Sequence, residues 1–159
     1  MTSSTANQPA RQALVFDFGE RRIGVASANS LTGTSSGLAT LEARDGRPLG
    51  HTLEVLLREW QPDLLVVGLP YNEDGSESTM TGRAREFADW IGKHTGLDVE
   101  MVDERFTSAE AESILRGQRQ DGTKRRRTRK QDVDRLAARL IAESWLRGAA
   151  ATGTDGYGN

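Results

Sequence analysis

Three acidic side chains stand where elements of this chain are expected to begin or end: Asp17, Glu104 and Asp134. Asp17 lies inside the apolar run Leu14-Val15-Phe16-Asp17-Phe18. A carboxylate in such company loses hydration and needs a cation or hydrogen bonds to offset the loss. Asp103 and Glu104 follow the short apolar stretch that begins at Val99, and Asp134 stands at the start of a long amphipathic pattern. Each acid has a plainer use. Asp17 can cap the turn at Gly19, Asp103 and Glu104 can be solvated residues before a helix, and Asp134 can answer a helix dipole. If the three converge, the chemistry changes. Carboxylate oxygens are the ligands that Mg²⁺ and Mn²⁺ prefer. Two such ions, roughly 3.5–4 Å apart, clamp the attacking and leaving oxygens of an in-line phosphoryl displacement. Hydrolysis of a phosphodiester bond by an activated water would then need no side-chain nucleophile.

A polyanion also has to be held. Between Arg116 and Lys130 there are eight basic residues and one acid, so the rest of the chain keeps 13 basic and 22 acidic residues, a balance of −9 within a net charge of −2. A cationic strip on an anionic body grips nucleic acid locally, because phosphate neutralisation supplies most of the affinity. The alternative for this strip is a solvated, flexible loop. Cysteine is absent, which excludes disulfides, a cysteine nucleophile and thiolate-bound zinc. His51 and His94 show no ligand spacing and are expected to be ordinary boundary or surface residues.

The elements that must position these groups follow from periodicity. At 159 residues, 36% hydrophobic and 28% charged, the chain suits one globular domain, and no apolar run is long enough to cross a bilayer. Residues 1–12 are polar, lack the apolar stretch of a secretory signal and read as a disordered leader; residues 148–159 read as a flexible Gly-rich tail. The domain proper is expected over 13–147, in the cytoplasm, with no membrane association.

Ala13 to Phe18 and Arg22 to Ala28 make two strands of a hairpin, and a third strand is expected around Gly37 to Ala43. Pro48 opens a helical pattern carrying Leu49, Leu53, Leu56 and Leu57, which ends near Trp60 before Gln61-Pro62. Asp63 to Gly68 is an uninterrupted apolar run, expected to be a central strand covered on both faces. A helix follows from about Ser78 to His94, then a strand from Val99 to Val102, and Thr107-Ser108-Ala109-Glu110 reads as a capping box opening a helix to about Arg116. The last helix is expected from about Asp132, as N-cap, to Arg147, burying Val133, Leu136, Ala137, Leu140, Ile141 and Trp145. The pattern predicts an α/β layered domain with helices packed on a mixed sheet of five strands.

Four strings in this order resemble the YqgF/RuvX family. They are Asp17-Phe18-Gly19 with Arg22-Ile23-Gly24-Val25-Ala26, Gly68-Leu69-Pro70 with Asp74-Gly75-Ser76, Asp103-Glu104-Arg105 with Thr107-Ser108, and Val133-Asp134 with Ala137-Ala138. The resemblance covers roughly residues 13–147. It implies an RNase H-like three-layer fold and a nuclease dependent on Mg²⁺ or Mn²⁺, with Asp17, Glu104 and Asp134 as catalytic and metal-binding acids and Asp103 as an alternative ligand. Arg22, Arg105, Lys124, Arg125, Arg126, Arg127, Arg129 and Lys130 are then the expected nucleic-acid contacts. Phe106 stands where the family usually has leucine, and the Lys124–Lys130 run is unusually basic, which makes the substrate grip harder to anticipate. The substrate implied is precursor rRNA, cut at the 5′ end of 16S rRNA. The alternatives are branched DNA, resolved as a Holliday junction by a homodimer with two symmetric cuts, and a non-catalytic module that binds nucleic acid.

Overall fold

The computed structural model describes residues 11–104 and 130–158. The helix expected over Thr107 to Arg116, Arg105 and the basic residues Lys124 to Arg129 lie outside the described residues.

The first strand, β1 (Gln12–Asp17), runs antiparallel to β2 (Arg22–Asn29), which runs antiparallel to β3 (Thr34–Arg44). The hairpin β1–β2 forms where the short Gly19 turn separates two apolar runs. A two-residue strand, β4 (Arg47–Pro48), pairs with Ala43 and Arg44. Next come α1 (Thr52–Trp60), β5 (Leu64–Leu69), α2 (Thr79–Thr95), β6 (Asp98–Asp103) and the final described helix, α3 (Lys130–Gly158). The sheet order is β4-β3-β2-β1-β5-β6, with β5 parallel to both β1 and β6.

This six-stranded mixed sheet corrects the expected five. The extra strand comes from a tight turn at Asp45 and Gly46, both at positive φ (51° and 79°). Such a turn folds the chain straight back on itself. Pro48 therefore belongs to an edge strand, where its missing N–H is harmless, and α1 begins at Thr52 instead. Other boundaries differ too: β3 reaches from Thr34 to Arg44, and α3 runs from Lys130, which puts Asp132 in its first turn and not at its N-cap, to Gly158, through the stretch expected to be a flexible tail.

Alternation along β1 and β5 divides the interior. Leu14, Phe16, Leu65 and Val67 pack with Leu53 and Leu56 of α1 and with Ala84, Phe87 and Ile91 of α2. Ala13, Val15, Leu64 and Val66 face the other way, against Ala138, Ile141, Ala142 and Trp145 of α3. All six residues of β5 are buried, as its apolar run predicted. α2 is fixed at its start by a capping box, in which Ser78 Oγ accepts from Thr81 N–H while Thr81 Oγ1 accepts from Ser78 N–H. The buried stripe of α3 lies one turn further along than periodicity predicted, since Val133, Leu136 and Ala137 are only half-buried. Its early turns ride over the sheet's edge region, where backbone contact with Gly24 and Gly37 replaces side-chain burial. Among the described residues, no helix is long and apolar enough to cross a membrane.

Candidate active site

Because β1, β5 and β6 are parallel, their carboxyl ends fall at one edge of the sheet, the edge where open α/β sheets bind ligands. Asp17 is the last residue of β1. Glu104 comes one residue after β6, and its N–H continues the ladder by donating to the Leu69 carbonyl at 3.0 Å. That bond turns Glu104 inward, where it is 7% exposed, while the preceding Asp103 points to solvent.

The inward turn is possible because β5 carries glycine at its penultimate position. A Cβ on Gly68 would lie 2.5 Å from both Glu104 Oε2 and Ile141 Cδ1. A second glycine seats the third acid. Gly24 pairs with Asp17 across the β1–β2 ladder, and a Cβ there would overlap the carbonyl of Asp134 on α3. The backbone of Asp134 thus rests directly on β2, opposite the last residue of β1. Gly24→Ala is expected to lift α3 from the sheet and to cost about 1–3 kcal/mol, the usual range for overpacking against atoms that cannot turn aside. Thermal denaturation of the variant against wild type measures this; an unchanged melting temperature would mean that α3 does not depend on this contact.

Asp17 and Glu104 are hydrogen-bonded to each other through their carboxyl groups. Burial pushes Asp17 up to about 7, against the lowering effect of the hydrogen bond from Glu104, with the nearby charge of Asp134 adding to the rise. Glu104 is pushed up to about 9, first by burial, then by the charge of Asp17 and the proton it donates, and lastly by Asp103. Two carboxyls in this position hold one proton between them at neutral pH, as like charges in poor solvent cannot both ionise.

Asp134 is close enough for its charge to act on Asp17, but its carboxylate is engaged elsewhere. Arg22 Nε donates to Asp134 Oδ2 at 2.9 Å, joining the first residue of β2 to α3 across 112 positions of sequence. Among the described residues, no three acidic or imidazole groups stand close enough together to form a ready-made ion site. The expected convergence is therefore a tight pair plus a third acid drawn aside by an arginine. Of the remaining expected contacts, Lys130 opens α3, and Arg105 and Lys124 to Arg129 fall outside the described residues. Sequence reasoning missed the seats supplied by Gly24 and Gly68, although an isolated glycine within a strand is itself a signal of close backbone approach.

Comparison with known proteins adds the following. A protein-family model described as "RuvX: Holliday junction resolvase" matches residues 11–148. The chain belongs to the RuvX family. RuvX-family relatives agree over almost the whole domain. A Chromohalobacter salexigens protein, provisionally named a pre-16S rRNA nuclease, is 49% identical over 136 residues, covering 86% of this chain and 89% of the relative. A Marinobacter nauticus protein with the same name is 47% identical over 137 residues, covering 86% and 93%. Among solved structures, the yeast mitochondrial Holliday junction resolvase Ydc2 superposes with a TM-score of 0.51 at 11% identity, covering 93% of this chain and 84% of that one. At that identity the likeness speaks for the fold alone, and it makes this RuvX-family domain one of the RNase H-like α/β folds.

Proposed function

We propose that this RuvX-family protein is a nuclease that hydrolyses phosphodiester bonds with a divalent cation, Mg²⁺ or Mn²⁺, held by Asp17, Glu104 and Asp134. The observation that carries the proposal is the Asp17–Glu104 pair: two carboxyls in contact at a sheet edge, both pushed above the usual carboxylate range, with a third acid in electrostatic reach. Oxygen donors crowded together at a cost in solvation are a donor set suited to a hard cation, and to little else. When bound, the cation supplies Lewis-acid stabilisation of the phosphate and an acidified water. The chain's own part is positional. β1 and β6 fix Asp17 and Glu104, the Gly24 contact sets the height of Asp134, and Asp103 stays on the solvent side as an auxiliary carboxylate.

The substrate favoured is precursor 16S rRNA, cut at its 5′ end in the cytoplasm, and support comes from relatives at 49% and 47% identity that carry that name. The strip from Lys124 to Lys130, with Arg105, would hold the phosphates, arginine more firmly than lysine because it can bind bidentately. The family description favours a second substrate, the four-way DNA junction, which would require a two-fold dimer. Incubating the purified protein and Mg²⁺ with a precursor 16S rRNA fragment and, separately, with a synthetic four-way junction discriminates the two. The RNA should be cut at least tenfold faster. Cleavage of the junction with intact RNA reverses the substrate assignment, and cleavage of neither, with nucleic acid still bound, leaves a binding module without catalysis.

A further inference from the structure

The Arg22–Asp134 ion pair sets two demands on one carboxylate. Asp134 Oδ2 accepts from Arg22 Nε at 2.9 Å, with the two side chains 34% and 19% exposed. The same carboxylate is near enough to Asp17 to raise it electrostatically. A cation held by Asp17 and Glu104 would naturally recruit it as a third ligand, but a guanidinium already sits on it. Arg22 itself lines a groove of about 720 Å³ that also carries Arg21 and Arg44 and the acids Glu20, Glu42 and Asp45. Its three arginines are matched by three acids, and Arg21 and Arg22 reach it from the stretch that joins β1 to β2 just after Asp17.

We propose that Arg22 is an exchangeable counter-ion for Asp134, competing with the divalent cation for that carboxylate and turning to a substrate phosphate in the neighbouring groove when the cation takes its place. The inference rests on the nuclease proposal and adds an order of events to it. A guanidinium serves both partners, since carboxylate and phosphate present the same planar pair of acceptor oxygens. Charge balance is kept throughout. The arginine compensates Asp134 when no cation is near, and the cation and a phosphate take the two partners when substrate is present. On this reading Arg22 adds one phosphate contact at the groove to those of the basic strip.

The consequence is opposite in sign to ordinary structural damage. A residue that merely props up a metal site weakens cation binding when removed, whereas a competitor strengthens it. Mn²⁺ binding to the full chain without nucleic acid, followed by calorimetry, should be about tenfold tighter in Arg22→Gln than in wild type, the size expected when one unit charge roughly 6 Å from a divalent ion is removed in water-like surroundings. Arg22→Lys keeps the charge and should stay close to wild type, and it covers the case in which Arg22→Gln fails to fold. In the background of Asp134→Asn, Arg22→Gln should have little effect, because the contested carboxylate is gone. Under turnover, Arg22→Gln should raise KM for nucleic acid more than it lowers kcat. Unchanged or weaker Mn²⁺ binding in Arg22→Gln overturns the proposal. A wild type whose Mn²⁺ binding is absent, or unaffected by Asp17→Asn, would instead sink the nuclease reading on which it stands.

Discussion

Asp17→Asn is expected to abolish Mg²⁺-dependent cleavage, by on the order of 10³-fold or more in kcat, while leaving the protein folded and at least as stable as wild type at pH 8. The two halves of this expectation have the same cause. Asp17 is held in poor solvent against Glu104 and near Asp134, an arrangement that pushes it up to about 7. An amide of the same shape has no charge to desolvate and still accepts the hydrogen bond from Glu104, so the strain of the pair is relieved. It is also a poor ligand for a hard cation, and loss of several kcal/mol of transition-state charge stabilisation corresponds to the fall in rate. Cleavage assays and thermal melts on one preparation measure both. A variant that retains wild-type cleavage would assign the activity to another protein in the sample. A variant that is inactive and unfolded would mean that Asp17 is a structural residue of the hairpin.

The second large effect is a coupling of stability to pH and to metal. In the unfolded chain both carboxyls titrate near their model values of 3.8 and 4.5, whereas in the folded protein they titrate near 7 and 9. Between those limits the folded state binds more protons than the unfolded one, so stability falls as pH rises. The contribution of the pair is fully present below about pH 4 and is lost progressively as pH passes 7 and then 9. Metal-free protein should therefore lose stability from this pair between pH 5 and pH 9, read as a melting temperature at least several degrees lower at the higher pH. Glu104→Gln isolates the effect, because other groups titrate equally in both proteins and the difference between the two melting curves reports the pair. Added Mg²⁺ should stabilise wild type increasingly above pH 7, since binding to the folded state alone shifts the equilibrium in its favour and the ligands must first lose their proton. A wild-type curve that parallels Glu104→Gln across the range, with or without Mg²⁺, would mean that the carboxyls are not coupled as described.

What could be read from the chain alone depended on range. Asp17 was legible because five residues are enough to show a charge inside an apolar strand, and β5 was legible because the short apolar run over Asp63 to Gly68 suits a strand covered on both faces, which the structure has at Leu64–Leu69. The helix from about Ser78 was visible through the spacing of its apolar residues, and its capping box at Ser78 and Thr81 was supplied by the structure. β4 went unread although Asp45-Gly46 is a local turn signal, because Pro48 also reads as a helix start, and the tight hairpin was the stronger determinant. The pairing of Arg22 with Asp134 was beyond reach for a different reason. It joins residues 112 positions apart through the seating of a helix on a glycine, and neither charge pattern nor periodicity encodes which arginine meets which acid. Sequence placed Arg22 among the nucleic-acid contacts; the structure adds its ion pair with Asp134.

The chain contributes its three acids in a fixed order, the first from β1, the second after β6 and the third from α3, which among the described residues is the helix that covers one face of the sheet. During synthesis, then, the hairpin and the central strands emerge well before the segment that finishes the constellation. Until α3 has been made, the chain lacks its third carboxylate, and Val15, Leu64 and Val66 lack the helix they pack against. The third acid and the packing on that face therefore come from one and the same late segment.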